Sequence, residues 1–162
     1  MRLRHAGLAF TTTALATSLS AGSALSEFQA ADWTLVTTLV DVPATVREAL
    51  AARFGGDGRI AEHGGEFEAT DVVSGVPSKR FVLGGQDDTL WFIAFEQGGY
   101  AHHLVLAVVR VDADAALVTL VARGTAGQHE DSPGGWSVTL NELRDALADG
   151  SLRLEYMSGA SE

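Results

Sequence analysis

The densest run of chemically capable side chains lies between Glu96 and His103: a carboxylate, Gln97, a Gly98-Gly99 break, Tyr100, Ala101 and two adjacent histidines. An imidazole titrates near neutral pH, and a carboxylate held against it can orient the ring for proton transfer. The glycine pair sets the run at a turn between two strands, so Glu96 lies across a hairpin from the histidines. Successive residues of a strand point to opposite faces, so His102 and His103 cannot both bind one metal ion unless the strand bulges. By that alternation His102 shares a face with Tyr100, and His103 shares the face of Val105 and Ala107. One reading is therefore an acid–base or metal-binding centre on Glu96, Tyr100, His102 and His103. A zinc or copper site would draw His63 or His129 into it as a further ligand. The competing reading is an ordinary cross-strand polar contact, the commoner outcome for a Glu–His pair at a hairpin.

A second group sits in the long Gly- and Pro-containing stretch from Gly124 to Trp136, where Gln128, His129, Glu130 and Asp131 precede Trp136. Loops of this length inside a small domain are often binding elements. The charged residues can face a partner or solvent. Trp136 is either an aromatic anchor for a partner or a plug beneath its own loop that fixes the start of the last helix. The Lys79-Arg80 pair is a third feature, able to contact a single anion.

Familiar catalytic signatures are missing. The chain has no phosphate-binding G-x-x-x-x-G-K-[ST] loop, no G-x-S-x-G nucleophile turn and no H-E-x-x-H zinc pair. The letters Gly56 to Ala61 match G-x-G-x-x-A, but a helix precedes them and a strand-like run follows, the reverse of what dinucleotide binding needs. Asp112 and Asp114 supply two carboxylates of a calcium loop without its glycine or closing glutamate, so a hairpin turn accounts for them. Cysteine is absent, which removes thiol chemistry, Cys-ligated metals and disulfides. No cofactor is implied.

The elements that must position these residues form an antiparallel sheet. Thr89–Glu96, Tyr100–Asp112 and Ala115–Ala122 are strand-like runs rich in Val, Leu, Ile and aromatics, joined by breaks too short for a crossover helix. Trp91, Ile93 and Phe95 share one face of the first run, and Leu90, Phe92 and Ala94 the other. In the middle run Val105, Ala107 and Val109 oppose Leu104, Leu106 and Val108; in the third, Leu117 and Val121 oppose Val118, Leu120 and Ala122. Both faces are apolar, so both require cover. The rest of the chain is expected to supply it; an exposed apolar face that binds a partner or a second copy is the alternative.

Further strands are expected at Trp33–Val40, Arg59–His63, Glu66–Val73, Lys79–Leu83 and Ser151–Tyr156, with Gly84 to Asp88 as a turn. A helix over Pro43–Phe54 carries Val46, Ala49, Leu50 and Phe54 on one stripe, with Pro43 in its first turn and Gly55-Gly56 ending it. A second helix runs from Thr139 to Ala148, with a capping box between Thr139 and Glu142 and a stripe of Leu140, Leu143 and Leu147. The fold class is α+β: an antiparallel meander of about five to six strands with two helices packed on one face. One domain over residues 27–162 with a frayed C-terminal tail is expected.

Residues 1–26 read as a secretory signal peptide. Met1 to Arg4 is basic, Ala6–Leu19 modestly apolar and Ala21–Ser26 rich in small residues, with cleavage expected after Ala24 or Ser26. Six Thr and Ser residues dilute the apolar stretch below what a stable membrane span requires. The expected location is the periplasm or the medium. The net charge of −10, deepened by loss of Arg2 and Arg4, disfavours nucleic acid and anionic lipid as partners. Together these features point to a non-enzymatic exported protein that binds another protein, or itself, through an apolar sheet face or the 124–136 loop. The alternative is the enzyme or metal centre at Glu96, Tyr100, His102 and His103.

Overall fold

The computed structural model describes residues 21–54, 59–69, 75–99, 102–113, 115–130 and 135–155. The expected class holds: a six-stranded antiparallel sheet with three helices. Its strands are β1 (Thr34–Val36), β2 (Lys79–Asp87), β3 (Leu90–Gln97), β4 (His103–Asp112), β5 (Ala115–Gly124) and β8 (Leu152–Leu154). They lie in the order β1-β2-β3-β4-β5-β8. Two short strands, β6 (Gln128–Glu130) and β7 (Gly135–Ser137), pair apart from this sheet as a separate hairpin.

The helices are α1 (Ala21–Ala30), α2 (Ala44–Phe54) and α3 (Leu140–Asp149). They do not share one face as expected. Val46 and Leu50 of α2 pack with Phe81, Trp91, Ile93, Phe95, Val105, Ala107 and Val109. Phe28 of α1 and Leu143 of α3 pack on the other face, against Phe92, Leu104, Leu106 and Leu120. The edge strand explains the split. Phe28 and Trp33 belong to the face of α1 and α3, and Leu39 and Val42, just after β1, to the face of α2. The chain therefore rounds the β1 edge before entering α2. Only Thr34–Val36 of the expected Trp33–Val40 strand is paired, because a 3-10 turn at Leu39–Asp41 makes this change of side.

Both apolar faces are thus covered within the chain, and residues such as Phe92, Phe95, Val105 and Leu106 are wholly buried. Each such side chain contributes about 1.5–3 kcal/mol on removal from water. An exposed apolar sheet face for a partner is accordingly not present among the described residues.

The face assignments of β3 and β4 follow strict alternation, as expected. In β5 a bulge interrupts it: Val108 pairs with Leu120 and Val109 with Val118, which leaves Thr119 as the extra residue. The Thr119 hydroxyl donates to the Val108 carbonyl at 3.3 Å. Val118 consequently turns to the face of Val121, away from Leu120 and Ala122. Strand β2 runs through Gly84 and Gly85, which the sequence assigns to a turn. Side chains are excluded there: a Cβ on Gly85 would strike the Phe92 ring, and one on Gly84 would crowd Val36 and Ile93. The turn falls instead at Asp88-Thr89, with Asp88 at φ 49°.

Of the strand expected at Arg59–His63, only an isolated bridge from Ala61 to Arg80 forms. Residues 66–69 are irregular, and the remainder of the expected Glu66–Val73 strand lies outside the described residues. The capping box at α3 is present in full: Thr139 N–H donates to Glu142 at 2.7 Å, and Glu142 N–H to the Thr139 hydroxyl at 3.3 Å. Gly150 ends the helix in the left-handed region. Residues 1–20 of the expected leader lie outside the described residues. From Ala21 the chain is helical, so α1 spans both expected cleavage positions, with Ala24 and Phe28 buried.

Candidate functional site

The β3–β4 pairing puts Gln97 opposite His103 and Glu96 opposite Leu104. Glu96 therefore faces α1 and α3, and it is 1% exposed. A carboxylate so deeply buried requires compensation. It is supplied from two sides. Arg80, directly across from it on β2, donates its Nε–H to Glu96 Oε1. His102 Nε2 lies 2.9 Å from Glu96 Oε2. Both carboxylate oxygens are engaged.

Aromatic rings enclose this group. The Arg80 guanidinium stacks over Phe67 with its carbon 4.5 Å from the ring centre. The His102 ring lies 5.6 Å from Phe67 and meets Trp136 edge-on at 5.4 Å. Trp136 is 5% exposed, and its indole N–H donates to the Ala126 carbonyl. It is the plug beneath its loop. Gly135 stands against the ion pair, with φ 71°, and a Cβ there would collide with the Arg80 guanidinium and crowd Glu96.

Of the residues expected to form a chemical centre, Glu96 and His102 are thus brought together. His103 is on the opposite face, with its Nε2 2.9 Å from Arg123 Nη1. His63 is exposed on a turn. Tyr100 and Asp131 lie outside the described residues. Gln128 is exposed on β6, and the backbones of His129 and Glu130 complete that strand. Among the described residues no three His, Asp or Glu side chains gather closely enough to hold a metal ion. None of their helices is long and apolar enough to cross a membrane.

No protein-family model, curated protein or solved structure matches this chain. The site has to be read from its own geometry.

Two features of that geometry were missed at the level of sequence. Arg80 and Phe67 complete the Glu96 cluster; an expected β2 ending at Leu83 gave no register to set Arg80 against Glu96. The stretch after β5 is also more ordered than a loop, since Gln128–Glu130 pairs residue by residue with Gly135–Ser137. Beside the base of this hairpin is an open cleft of about 290 Å³, lined by Thr125–Gly127 and by Glu142, Asp145, Asp149 and Ser151. Two of its three carboxylates, Glu142 and Asp149, have structural duties. Hydrogen bonds from Thr139, the backbone N–H first and then the hydroxyl, hold Glu142 below the usual carboxylate range. Ser151 does the same for Asp149, again led by its backbone N–H, at 2.8 Å.

Proposed function

We propose that this chain is an exported, non-catalytic binding protein that presents the β6–β7 hairpin to another protein. The observation that carries this reading is the mounting of the hairpin. Buried Trp136 and Gly135 seat β7 on the Arg80–Glu96–His102 cluster, while Gln128 on the paired strand is exposed. A loop held at its base and polar at its outer strand loses little conformational entropy when a partner binds it. Export is supported by the composition of residues 1–26. The open cleft beside the hairpin base, with Asp145 in its wall, would admit a basic side chain from the partner.

The test is capture from a periplasmic and medium extract of the host by the parent protein and by a variant with Gln128, His129 and Glu130 all replaced by Ser. The expected result is one stoichiometric protein retained by the parent and lost by the variant, with unchanged unfolding midpoints. Equal retention by both would remove the hairpin from the interface, and capture by neither would overturn the reading.

An acid–base or metal centre is favoured by one observation, the 2.9 Å contact between His102 and Glu96. It requires the His102 imidazole to meet a substrate or ion. Titration of the full chain with zinc or copper, followed through the histidine ring resonances, distinguishes it: resonances of His102 unmoved by either ion would end the metal form of this reading.

A further inference from the structure

The adjacent cations of β2 have different fates. Arg80 points toward α1 and α3 and finds Glu96. Lys79 points to the face of α2, where its directly opposed neighbour on β3 is Gln97. Lys79 is only 5% exposed. Among the described residues its ammonium has neither a carboxylate in salt-bridge range nor a hydrogen-bond acceptor. The exposure it keeps includes its ammonium, because the buried side-chain nitrogens without a partner among the described residues are Arg110 Nε and Arg144 Nε; the covered stem therefore holds a head that a dissolved anion can reach.

The side chains next to it make the imbalance larger. Gln97 accepts a hydrogen bond at its Oε1 from Arg123 Nη1, at 2.8 Å. That contact fixes the amide orientation, because only the carbonyl oxygen can accept from a guanidinium. The Gln97 amide nitrogen is therefore turned away from Arg123, and it has no acceptor among the described residues. The row continues through His103, opposite Gln97, to Arg123 on β5. Glu155 is the carboxylate recorded in this group, and Arg123 and Arg53 already hold it, the latter at 3.5 Å. In a chain with net charge −10, Lys79 and the Gln97 amide nitrogen thus stand side by side as donors without an acceptor among the described residues.

We propose that Lys79 and Gln97 form a binding site for a small oxyanion, a carboxylate or phosphate group. Opposed residues of an antiparallel pair have Cβ atoms about 5 Å apart, so an ammonium and an amide N–H at these positions can meet two oxygens of one anion. Lys79 supplies the charge, which strengthens the hydrogen bond. Gln97 supplies direction. Arg123 is a positioning residue that holds the amide with its donors outward.

The experiment is thermal unfolding of the full chain in sodium acetate, sodium phosphate and sodium chloride at matched ionic strength, with the Gln97 side-chain amide followed by NMR. The expected result is a saturable rise of a few degrees with acetate or phosphate, absent in chloride, and a shift of the Gln97 amide resonances over the same concentrations. Which anion acts separates the planar from the tetrahedral ligand. Lys79→Met should abolish both responses. Gln97→Glu places a carboxylate opposite Lys79, so it should raise the midpoint without added anion and remove the response; it also decides the matter if Lys79→Met fails to fold. No saturable response to either anion, or the same rise in Lys79→Met as a general salt effect would give, overturns the proposal.

Discussion

At one end of the sheet, neighbouring residues of the same strands build two polar clusters on opposite faces. Arg80, Glu96 and His102 lie on the face of α1 and α3; Lys79, Gln97, His103 and Arg123 lie on the face of α2. In the first, a buried carboxylate is bonded at both oxygens, and the β6–β7 hairpin closes over it through Gly135 and Trp136. In the second, Lys79 has no counter-charge and the Gln97 amide nitrogen no acceptor among the described residues. Period-two alternation makes this separation possible, since a shift of one residue along the strand changes the face. The difference is between polarity that holds the fold together and polarity available for a ligand, and it predicts opposite responses to mutation.

The largest effect is expected at the closed cluster. Glu96→Ala leaves the Arg80 guanidinium buried without its carboxylate, and removing one partner of a buried pair costs about 3–5 kcal/mol. Urea unfolding of the variant should show that loss, together with release of the hairpin, read as faster amide exchange at Gln128–Glu130 and Gly135–Ser137. A loss below about 1 kcal/mol, the range of exposed pairs, would mean that the cluster does not anchor the hairpin.

Gly135→Ala tests the same closure without removing a charge. The new methyl collides with the Arg80 guanidinium, at a position whose φ of 71° already disfavours any side chain. Overpacking of this kind costs about 1–3 kcal/mol. The expected signature is a lowered midpoint with displaced resonances of His102 and Trp136, while those of Gln97 and His103 on the other face stay in place. Equal disturbance of both faces would show that the two clusters are coupled through the strands.

The sequence carried the faces of β3 and β4 because their apolar residues alternate without interruption, and it carried α2 and α3 because stripe, cap and stop signals agree. It did not carry the Gly84-Gly85 continuation of β2, since what excludes a side chain there is the Phe92 ring of another strand. Thr119 carries no local mark of a bulge. The small residues of 21–26 read as the end of a leader, yet α1 forms there because Ala24 and Phe28 have a core to enter. The closed cluster was half legible. Glu96 and His102 follow from the hairpin, whereas Arg80 and Phe67 reach them through tertiary pairing. The lack of a partner for Lys79 is a property of its surroundings, and no sequence pattern records it.

A third carboxylate calibrates the comparison, because Glu142 is hydrogen-bonded like Glu96 but lies at an exposed helix end. Its pKa is lowered by Thr139, chiefly through the backbone N–H. A carboxylate with a lowered folded pKa contributes stability above its unfolded pKa and loses that contribution as pH falls through the folded value. Thr139→Ala keeps that N–H and removes the hydroxyl, which accepts from the Glu142 N–H and donates to its carboxylate, and should cost about 1 kcal/mol at neutral pH. That deficit should shrink on acidification below the ordinary glutamate value of 4.5. Denaturant midpoints at pH 7 and pH 3 measure both. A deficit independent of pH would assign the effect to the bond from the Glu142 N–H to the hydroxyl, with nothing contributed by the carboxylate.

The smallest effect is expected at Lys79, where the contrast with Glu96 is most exposed to failure. Lys79→Met keeps the length of the side chain and its contacts with the α2 face, and it removes an ammonium that no described group neutralises. Its removal strands no partner and lets apolar atoms complete the cover of the stem, so the expected change in anion-free buffer lies between zero and about 1 kcal/mol in the stabilising direction. Glu96→Ala and Lys79→Met thus remove charges from neighbouring strands at one end of the sheet, yet their expected effects differ in sign. A loss of more than about 1 kcal/mol for Lys79→Met would mean that Lys79 holds a structural bond. The second face would then be as closed as the first, and its surplus of donors would no longer point to a ligand.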